Sequence, residues 1–238
     1  MGLLINRIDS AVVLAGGPGT RLKPLTNNLP KSMIKIRGKP LLEWIIKWLG
    51  ENEIKNVVLG VAYEKDKVME YFGDGSKFGI KIKYSVHTVE GGTGEGFRLA
   101  IGRHIDQEVF YAMNGDQITD LRLKDLGDFH ASHNPLATIA VTSPPCPYGN
   151  VKTNKEHDIV DFTEKPPCPR MVCSTGIYVF NRDILSHLPV AGDIEKTTFP
   201  ELAKSRQLKA YQFSGFFVTV NTSKDLCEAE HELMRIRK

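Results

Sequence analysis

The chain has 238 residues, with 31 Lys and Arg against 28 Asp and Glu and a formal net charge of +3. So even a balance excludes the dominant basic face of a nucleic-acid protein, and no apolar run approaches the roughly 20 residues of a membrane span. Hydrophobic residues at 41% and charged residues at 25% lie near the globular average and exclude a disordered chain; this length folds without staples.

The first ten residues, MGLLINRIDS, hold a short apolar patch but no small-residue cleavage site, so no signal peptide is read and a cytoplasmic protein is expected. Cys146, Cys168, Cys173 and Cys227 contain no C-x2-C pair that would present two thiolates to a tetrahedral ion, and they read as reduced thiols.

Ala11–Leu14 is an apolar run closed by glycines, the pattern of a buried strand. After Pro40, the residues Leu41, Trp44, Ile45, Trp48 and Leu49 recur at helical spacing. Val57–Tyr63 reads as a strand covered on both faces, 65–72 as a short helix and 80–86 as a strand. A helix over 95–102 follows, then a strand at Val109–Met113 that runs into Asn-Gly-Asp, an amphipathic helix over 121–133 and a strand at Ala137–Thr142. Beyond that, 149–153 and 159–163 read as a hairpin and 174–180 as a strand. Short helices near 182–187 and 195–205, a closing pair of strands at 208–213 and 216–220, and a final helix over 223–235 complete the chain.

This alternation predicts an α/β fold, a Rossmann-like, mostly parallel sheet with helices on both faces. One domain is expected, with a nucleotide-binding half over about 11–145 and an acceptor half over about 146–238. Ligands of such sheets bind outside the carboxyl ends of the strands, so Gly16–Thr20 and Asn114–Asp116, which follow two of them, should share one crevice.

The sharpest motif is LAGGPGTRLKPLTNNLPKSM, from Leu14 to Met33. A glycine-rich turn after a buried strand lets backbone N–H groups approach phosphate oxygens, and Arg21 and Lys31 place two cations over it. The plain alternative is a tight connection with surface charges. The pattern is neither G-x-x-x-x-G-K-[ST] nor G-x-G-x-x-G.

The block G-G-P-G-T-R-L-K-P-L-T followed by P-K resembles the signature of the sugar-1-phosphate nucleotidylyltransferases. The resemblance continues through YFGDGSKFG at 71–79, Asn-Gly-Asp at 114–116, Tyr148-Gly149, Glu164-Lys165-Pro166 and GIYVF at 176–180, and it spans Ala11 to Asp225. It implies transfer of a nucleotidyl group from an NTP to a sugar 1-phosphate, chemistry that needs alignment and charge neutralisation. No room is expected for the left-handed β-helix that many relatives append.

The resemblance also implies roles. Arg21 would face the triphosphate and Lys31 the reacting phosphates, while Leu14, Ala15, Gly16, Gly17, Gly19, Thr20 and Gly115 would line the nucleotide. Gly92 and Thr93 would turn against the base. Lys165, Glu164, Gly149 and Gly176 would hold the sugar phosphate. Asp116 would hold Mg²⁺, an ion that prefers oxygen ligands; without the resemblance, Asn-Gly-Asp would be a turn with a helix cap.

Two departures stand out. Relatives carry a second metal aspartate in a W-x-D-x-G-T pattern, where this chain has Thr219, with Phe217 and Asn221 at the tryptophan and glycine positions. The loop that reads the base is irregular, with His87, Glu90 and Glu95 as candidates and the nucleobase open. Within the family the resemblance leans toward mannose or heptose guanylyltransferases and glucose-type enzymes. The alternatives are a non-catalytic, nucleotide-sugar-binding regulatory subunit, suggested by Thr219, and a cytidylyltransferase acting on a non-sugar phosphate. His130 and His133 read as solvated. Trp44 and Trp48 read as core, a contact in a homo-oligomer being the other reading.

Overall fold

Strand β1 (Ser10–Leu14) sends alternate side chains to opposite faces: Ala11 and Val13 enter one apolar core and Val12 another, all with no exposure. A strand covered on both sides is apolar throughout, which is why its sequence shows no alternation. The computed structural model describes residues 7–144, 146, 148–166, 168 and 171–235. A small hairpin, β2 (Lys35–Ile36) and β3 (Lys39–Pro40), leads into α1 (Leu41–Glu51). Then follow β4 (Asn56–Val61), α2 (Lys65–Phe72), β5 (Lys81–Val86), α3 (Gly92–His104), β6 (Val109–Asn114), β7 (Gln117–Thr119), α4 (Leu123–His133) and β8 (Ala137–Thr142). The rest is a ribbon of β9 (Asn150–Thr153) and β10 (Ile159–Thr163), then β11 (Cys173–Asn181), α5 (Thr198–Lys204), β12 (Leu208–Gln212), β13 (Phe217–Thr219) and α6 (Ser223–Arg235).

Seven strands form one sheet in the order β12-β8-β11-β6-β1-β4-β5, with β11 antiparallel to both neighbours and every other pairing parallel. Side chains from α1, α2, α4 and α6 fill the core on one face, and those of α3 and α5 fill the other. This is the Rossmann-like α/β fold that the sequence predicts.

Helix α1 shows how a pattern becomes packing. Leu41, Leu42, Ile45, Ile46 and Leu49 are at most 1% exposed, worth roughly 1.5–3 kcal/mol for each such side chain. The indoles of Trp44 and Trp48 donate to the Ile36 and Leu121 carbonyls, so both tryptophans belong to the fold, as expected. Glu43, on the same helix, is also buried. Burial would raise its carboxyl, but the Tyr71 hydroxyl at 2.6 Å, Lys47 and Lys39 outweigh that and hold it below the usual range.

Three expectations need correction. The segments at 208–213 and 216–220 do not pair: β12 joins the edge of the main sheet on β8, whereas β13 pairs with β7. The turn between them changes layers, which two adjacent apolar runs cannot reveal. His130 is not solvated but 2% exposed, because it continues the buried stripe of Leu123, Leu126 and Gly127 at helical spacing. Its Nδ1 lies 2.8 Å from the Thr138 hydroxyl. Nor are all four cysteines reduced thiols. Cys146 and Cys168 form a disulfide with Cα atoms 5.6 Å apart, while Cys173 and Cys227 are free and exposed. The ribbon returns the chain on itself, and Cys146 and Cys168 donate their N–H groups to the Pro166 and Pro144 carbonyls. Sequence spacing held no sign of that approach.

Among the described residues, no helix is long and apolar enough to cross a membrane.

Candidate active site

β1 and β6 run parallel as neighbours with Leu14 opposite Asn114, so the loops leaving both strands open at one edge. The Gly115 N–H donates to the Leu14 carbonyl at 2.7 Å and locks the two loops together. Between them lies a crevice of about 250 Å³, walled by Leu14, Ala15, Gly16 and Gly17 on one side and by Gly92, Thr93, Gly115 and Asp116 on others. The predicted sharing of one crevice is therefore observed.

Gly16 is required by proximity. A Cβ there would lie 2.7 Å from the Ala62 nitrogen and 2.9 Å from His87 Nε2. Gly19 has φ 62°, and a Cβ on it would meet the Lys31 side chain at 2.9 Å. The long loop is stitched down by Thr26 Oγ1 donating to the Gly19 carbonyl, Ser32 Oγ to that of Ala15 and the Lys31 N–H to that of Gly17. These bonds carry Lys31 to the crevice wall, while Thr20 and Arg21 form an exposed turn and do not line the crevice.

Four side chains then converge. Lys31 Nζ lies 2.5 Å from Asp116 Oδ2 and 2.8 Å from Asn221 Oδ1, and the same Asn221 oxygen accepts from Arg21 Nη2 at 2.8 Å. The Lys31 and Asp116 side chains are only 13% and 23% exposed, which sets this pair apart from a solvated surface bridge. Two cations and one carboxylate leave this cluster with a net positive charge. Among the described residues, no group of three or more His, Cys, Asp or Glu is placed to hold a metal ion.

Thr219 stands on β13 opposite Gln117, and the Val220 N–H donates to the Asp116 carbonyl at 2.8 Å. Asp116 and Thr219 both line a second cavity of about 260 Å³. Gly176 borders it too, at a register shift in β11 between Ser174 and Tyr178. Gly176 has φ 72°, and a Cβ on it would collide with the Gln117 and Asn114 amides. Such shifts re-aim a strand beside a site.

The acceptor residues fare differently. Gly149, Glu164 and Lys165 lie together on and beside the β9–β10 ribbon, with Lys165 Nζ 3.6 Å from Glu164 Oε1. None of the three lines either cavity.

At the proposed base loop, Glu95 folds back to accept from the Thr88 hydroxyl and N–H, contacts that lower its pKa, and neither it nor Glu90 reaches the cavity wall. His87 does reach it, with Nδ1 2.9 Å from the Thr88 carbonyl and a buried Nε2 that has no hydrogen-bond partner among the described residues.

The sequence reading missed Asn221 as a contact of both cations, although a polar residue at a glycine position was the available signal. It also missed Asp193 and Glu195. Glu195 accepts from Thr93 Oγ1 at 2.8 Å and from the Tyr178 hydroxyl at 3.4 Å. Burial and the Glu195 carboxylate push the Tyr178 hydroxyl pKa up. No motif or period marks that segment.

A larger cavity of about 440 Å³ lies beside α1, lined by Trp44, Trp48 and Leu121 among others, but neither Lys31, Arg21 nor Asp116 borders it. The crevice at the strand ends is the candidate site because the Lys31–Asp116 pair meets at its wall.

Comparison with known proteins agrees with this geometry. The chain is 38% identical over 221 residues to the mannose-1-phosphate guanylyltransferase catalytic subunit beta of Dictyostelium discoideum, and 32% identical over 234 residues to the mannose-1-phosphate guanylyltransferase of Mycobacterium tuberculosis. These alignments cover 90% and 94% of this chain but 62% and 64% of the relatives, so the chain spans less than two thirds of their length. Among solved structures, HddC from Yersinia pseudotuberculosis superposes with a TM-score of 0.74 at 22% identity, covering 95% of this chain and all of that one. A UDP-glucose pyrophosphorylase complexed with UDP-glucose superposes at 0.74 with 20% identity, covering 97% of this chain and all of that one. Both have the same fold. The model of the nucleotidyl transferase family matches residues 10–234. With that match over nearly its whole length, the chain belongs to the nucleotidyl transferase family.

Proposed function

We propose that this chain transfers a nucleotidyl group from an NTP to a sugar 1-phosphate and releases pyrophosphate, with GTP and mannose 1-phosphate as the leading pair. The observation that carries the reading is the cluster of Arg21, Lys31, Asp116 and Asn221, of which Lys31 and Asp116 line a glycine-walled crevice. The base and the sugar are taken from the names of the two curated relatives.

In this reading the loop over 14–19 offers backbone N–H groups to the triphosphate, and Arg21 and Lys31 draw it in. The sugar phosphate oxygen attacks the α-phosphorus in line; the new P–O bond forms as the bond to the β-phosphate bridging oxygen breaks and pyrophosphate departs. Negative charge gathers on the α-phosphoryl oxygens, and the fixed Lys31 ammonium stabilises it there. The second cavity, beside Asp116 and Gly176, takes the sugar, and the motif resemblance assigns Glu164 and Lys165 of the ribbon to the sugar phosphate.

The donor set fits Mg²⁺: this ion is commonly held by one or two carboxylates together with substrate phosphates, and the site offers the Asp116 carboxylate with the Thr219 hydroxyl beside it. When bound, the ion would neutralise charge on the phosphate oxygens.

The absence of a carboxylate at Thr219 favours a second reading, a regulatory subunit that binds nucleotide sugars without transfer. Pyrophosphate release from a panel of NTPs against hexose 1-phosphates tests both. Turnover with GTP and mannose 1-phosphate is expected. Tight nucleotide-sugar binding by a folded protein with no turnover for any pair would replace the first reading with the second.

A further inference from the structure

Asn221 sits where nothing in the motifs asks for a functional side chain, yet it touches both cations of the site. Its Oδ1 accepts from Arg21 Nη2 and from Lys31 Nζ, each at 2.8 Å, and its Nδ2 donates to Thr219 Oγ1 at 3.1 Å. Its backbone is equally fixed. The Asn221 and Thr222 N–H groups donate to Asp225 Oδ2 at 2.9 and 2.8 Å, and the Asp225 N–H returns to Thr222 Oγ1. That reciprocal pair is a capping box at the start of α6, so the helix end holds the carboxamide in place.

We propose that Asn221 is a positioning residue: its carboxamide oxygen holds the Arg21 guanidinium and the Lys31 ammonium side by side as one clamp for the triphosphate. The inference rests on reading those two cations as facing the nucleotide phosphates. Two like charges at one point repel, and a shared acceptor offsets that repulsion. The acceptor is neutral, and this decides its value. Asp116 already balances one cation, so a second carboxylate at 221 would cancel the charge that attracts an anion, whereas an amide organises the pair and leaves the charge to the ligand. Without any acceptor, Arg21 loses its contact with the cluster and Lys31 retains only Asp116.

The test is calorimetric titration of the full chain and of Asn221→Ala and Asn221→Asp with GTP and with inorganic tripolyphosphate, in EDTA. Melting curves and the KM for mannose 1-phosphate are measured alongside. Tripolyphosphate isolates the clamp from the base pocket. The expected result is binding of both probes by the unaltered chain and a loss of about tenfold in tripolyphosphate affinity for each variant, with KM for the sugar phosphate little changed. The Ala variant is decisive, since it removes the acceptor without adding a charge, and a purely structural role for Asn221 would lower its melting temperature without moving its tripolyphosphate affinity. The Asp variant keeps the acceptor but gives up the Nδ2 donor to Thr219 and adds a negative charge, so a loss confined to it overturns the inference. Unaltered tripolyphosphate affinity in both variants overturns the inference. So does an unaltered chain that binds GTP but not tripolyphosphate, an outcome that leaves the transfer reading standing. A chain that binds neither probe in EDTA overturns the inference, and one that also fails to bind GTP with Mg²⁺ present removes the transfer reading as well.

Discussion

Lys31 and Asp116 are 85 residues apart in the chain, yet the ammonium and the carboxylate lie 2.5 Å apart at the ends of two adjacent parallel strands. The pair forms because the loop over 14–33 folds back onto the carboxyl end of β1, and Asp116 lies two residues beyond β6. Each partner therefore depends on the other's strand being in register.

Replacing Lys31 with Ala should cut turnover by about 10²–10³ while the protein stays folded, because one fixed donor to a developing phosphoryl charge is lost. Steady-state pyrophosphate release together with a melting curve checks this. Turnover within a factor of about two of the unaltered protein would mean that the reacting phosphates lie elsewhere.

Thr219→Asp should lower the Mg²⁺ concentration needed for half-maximal rate. The new carboxylate would stand beside Asp116, with Lys31 and Arg21 close enough to compensate it through Asn221. A magnesium titration of both proteins measures the change. An unaltered requirement would place residue 219 outside the metal's ligand set.

The disulfide closes a 22-residue separation that contains the whole β9–β10 ribbon with Glu164 and Lys165. A lone two-stranded ribbon is marginal in water, so the bond fixes the base on which those two side chains stand. Cys146→Ser, or reduction in dithiothreitol, should raise KM for the sugar phosphate severalfold and leave NTP affinity unchanged. Equal effects on both substrates would show that the ribbon serves more than the acceptor side.

His130 makes an acid-sensitive point far from the chemistry. Burial lowers its pKa from the ordinary 6.5 to about 4, so between those values the unfolded chain binds a proton that the folded chain refuses. Stability contributed by the neutral imidazole is complete above about pH 6.5 and drains away as pH falls toward 4, by on the order of 3 kcal/mol. Melting curves from pH 7.5 to 4.5 should show a steeper fall for the unaltered protein than for His130→Gln. Parallel curves would refute the assignment.

The sheet could be read from the sequence because its strands are short apolar runs set between helical stripes, and each signal is local. Where burial depends on a partner far along the chain, the reading failed. His130 was masked by its own polarity, though its place in the stripe of α4 was there to count. The separation of β12 from β13 is decided by β8 and β7, which compete for them from elsewhere in the chain. The glycine loop, Lys31 and Asp116 were legible as motifs. Asn221 and Glu195 were not, since their importance lies in which side chains they touch, and no spacing rule encodes that.

The stretch from Gly192 to Glu195 belongs to neither motif, yet it leans on the loop at one crevice and lines the other. The Gly94 N–H donates to the Gly192 carbonyl at 2.8 Å and the Gly192 N–H to that of Gly91 at 3.0 Å, while Glu195 joins Thr93 to Tyr178 of β11. Asp193 borders the first cavity and Glu195 the second. Grafting a loop over 88–93 that lacks a hydroxyl at 93 would therefore import one half of an interlocked joint and leave Glu195 with the Tyr178 hydroxyl alone of these two partners. The unit that must be replaced together is discontinuous in the chain: the loop, the stretch 192–195 and β11 at Tyr178 are joined by hydrogen bonds.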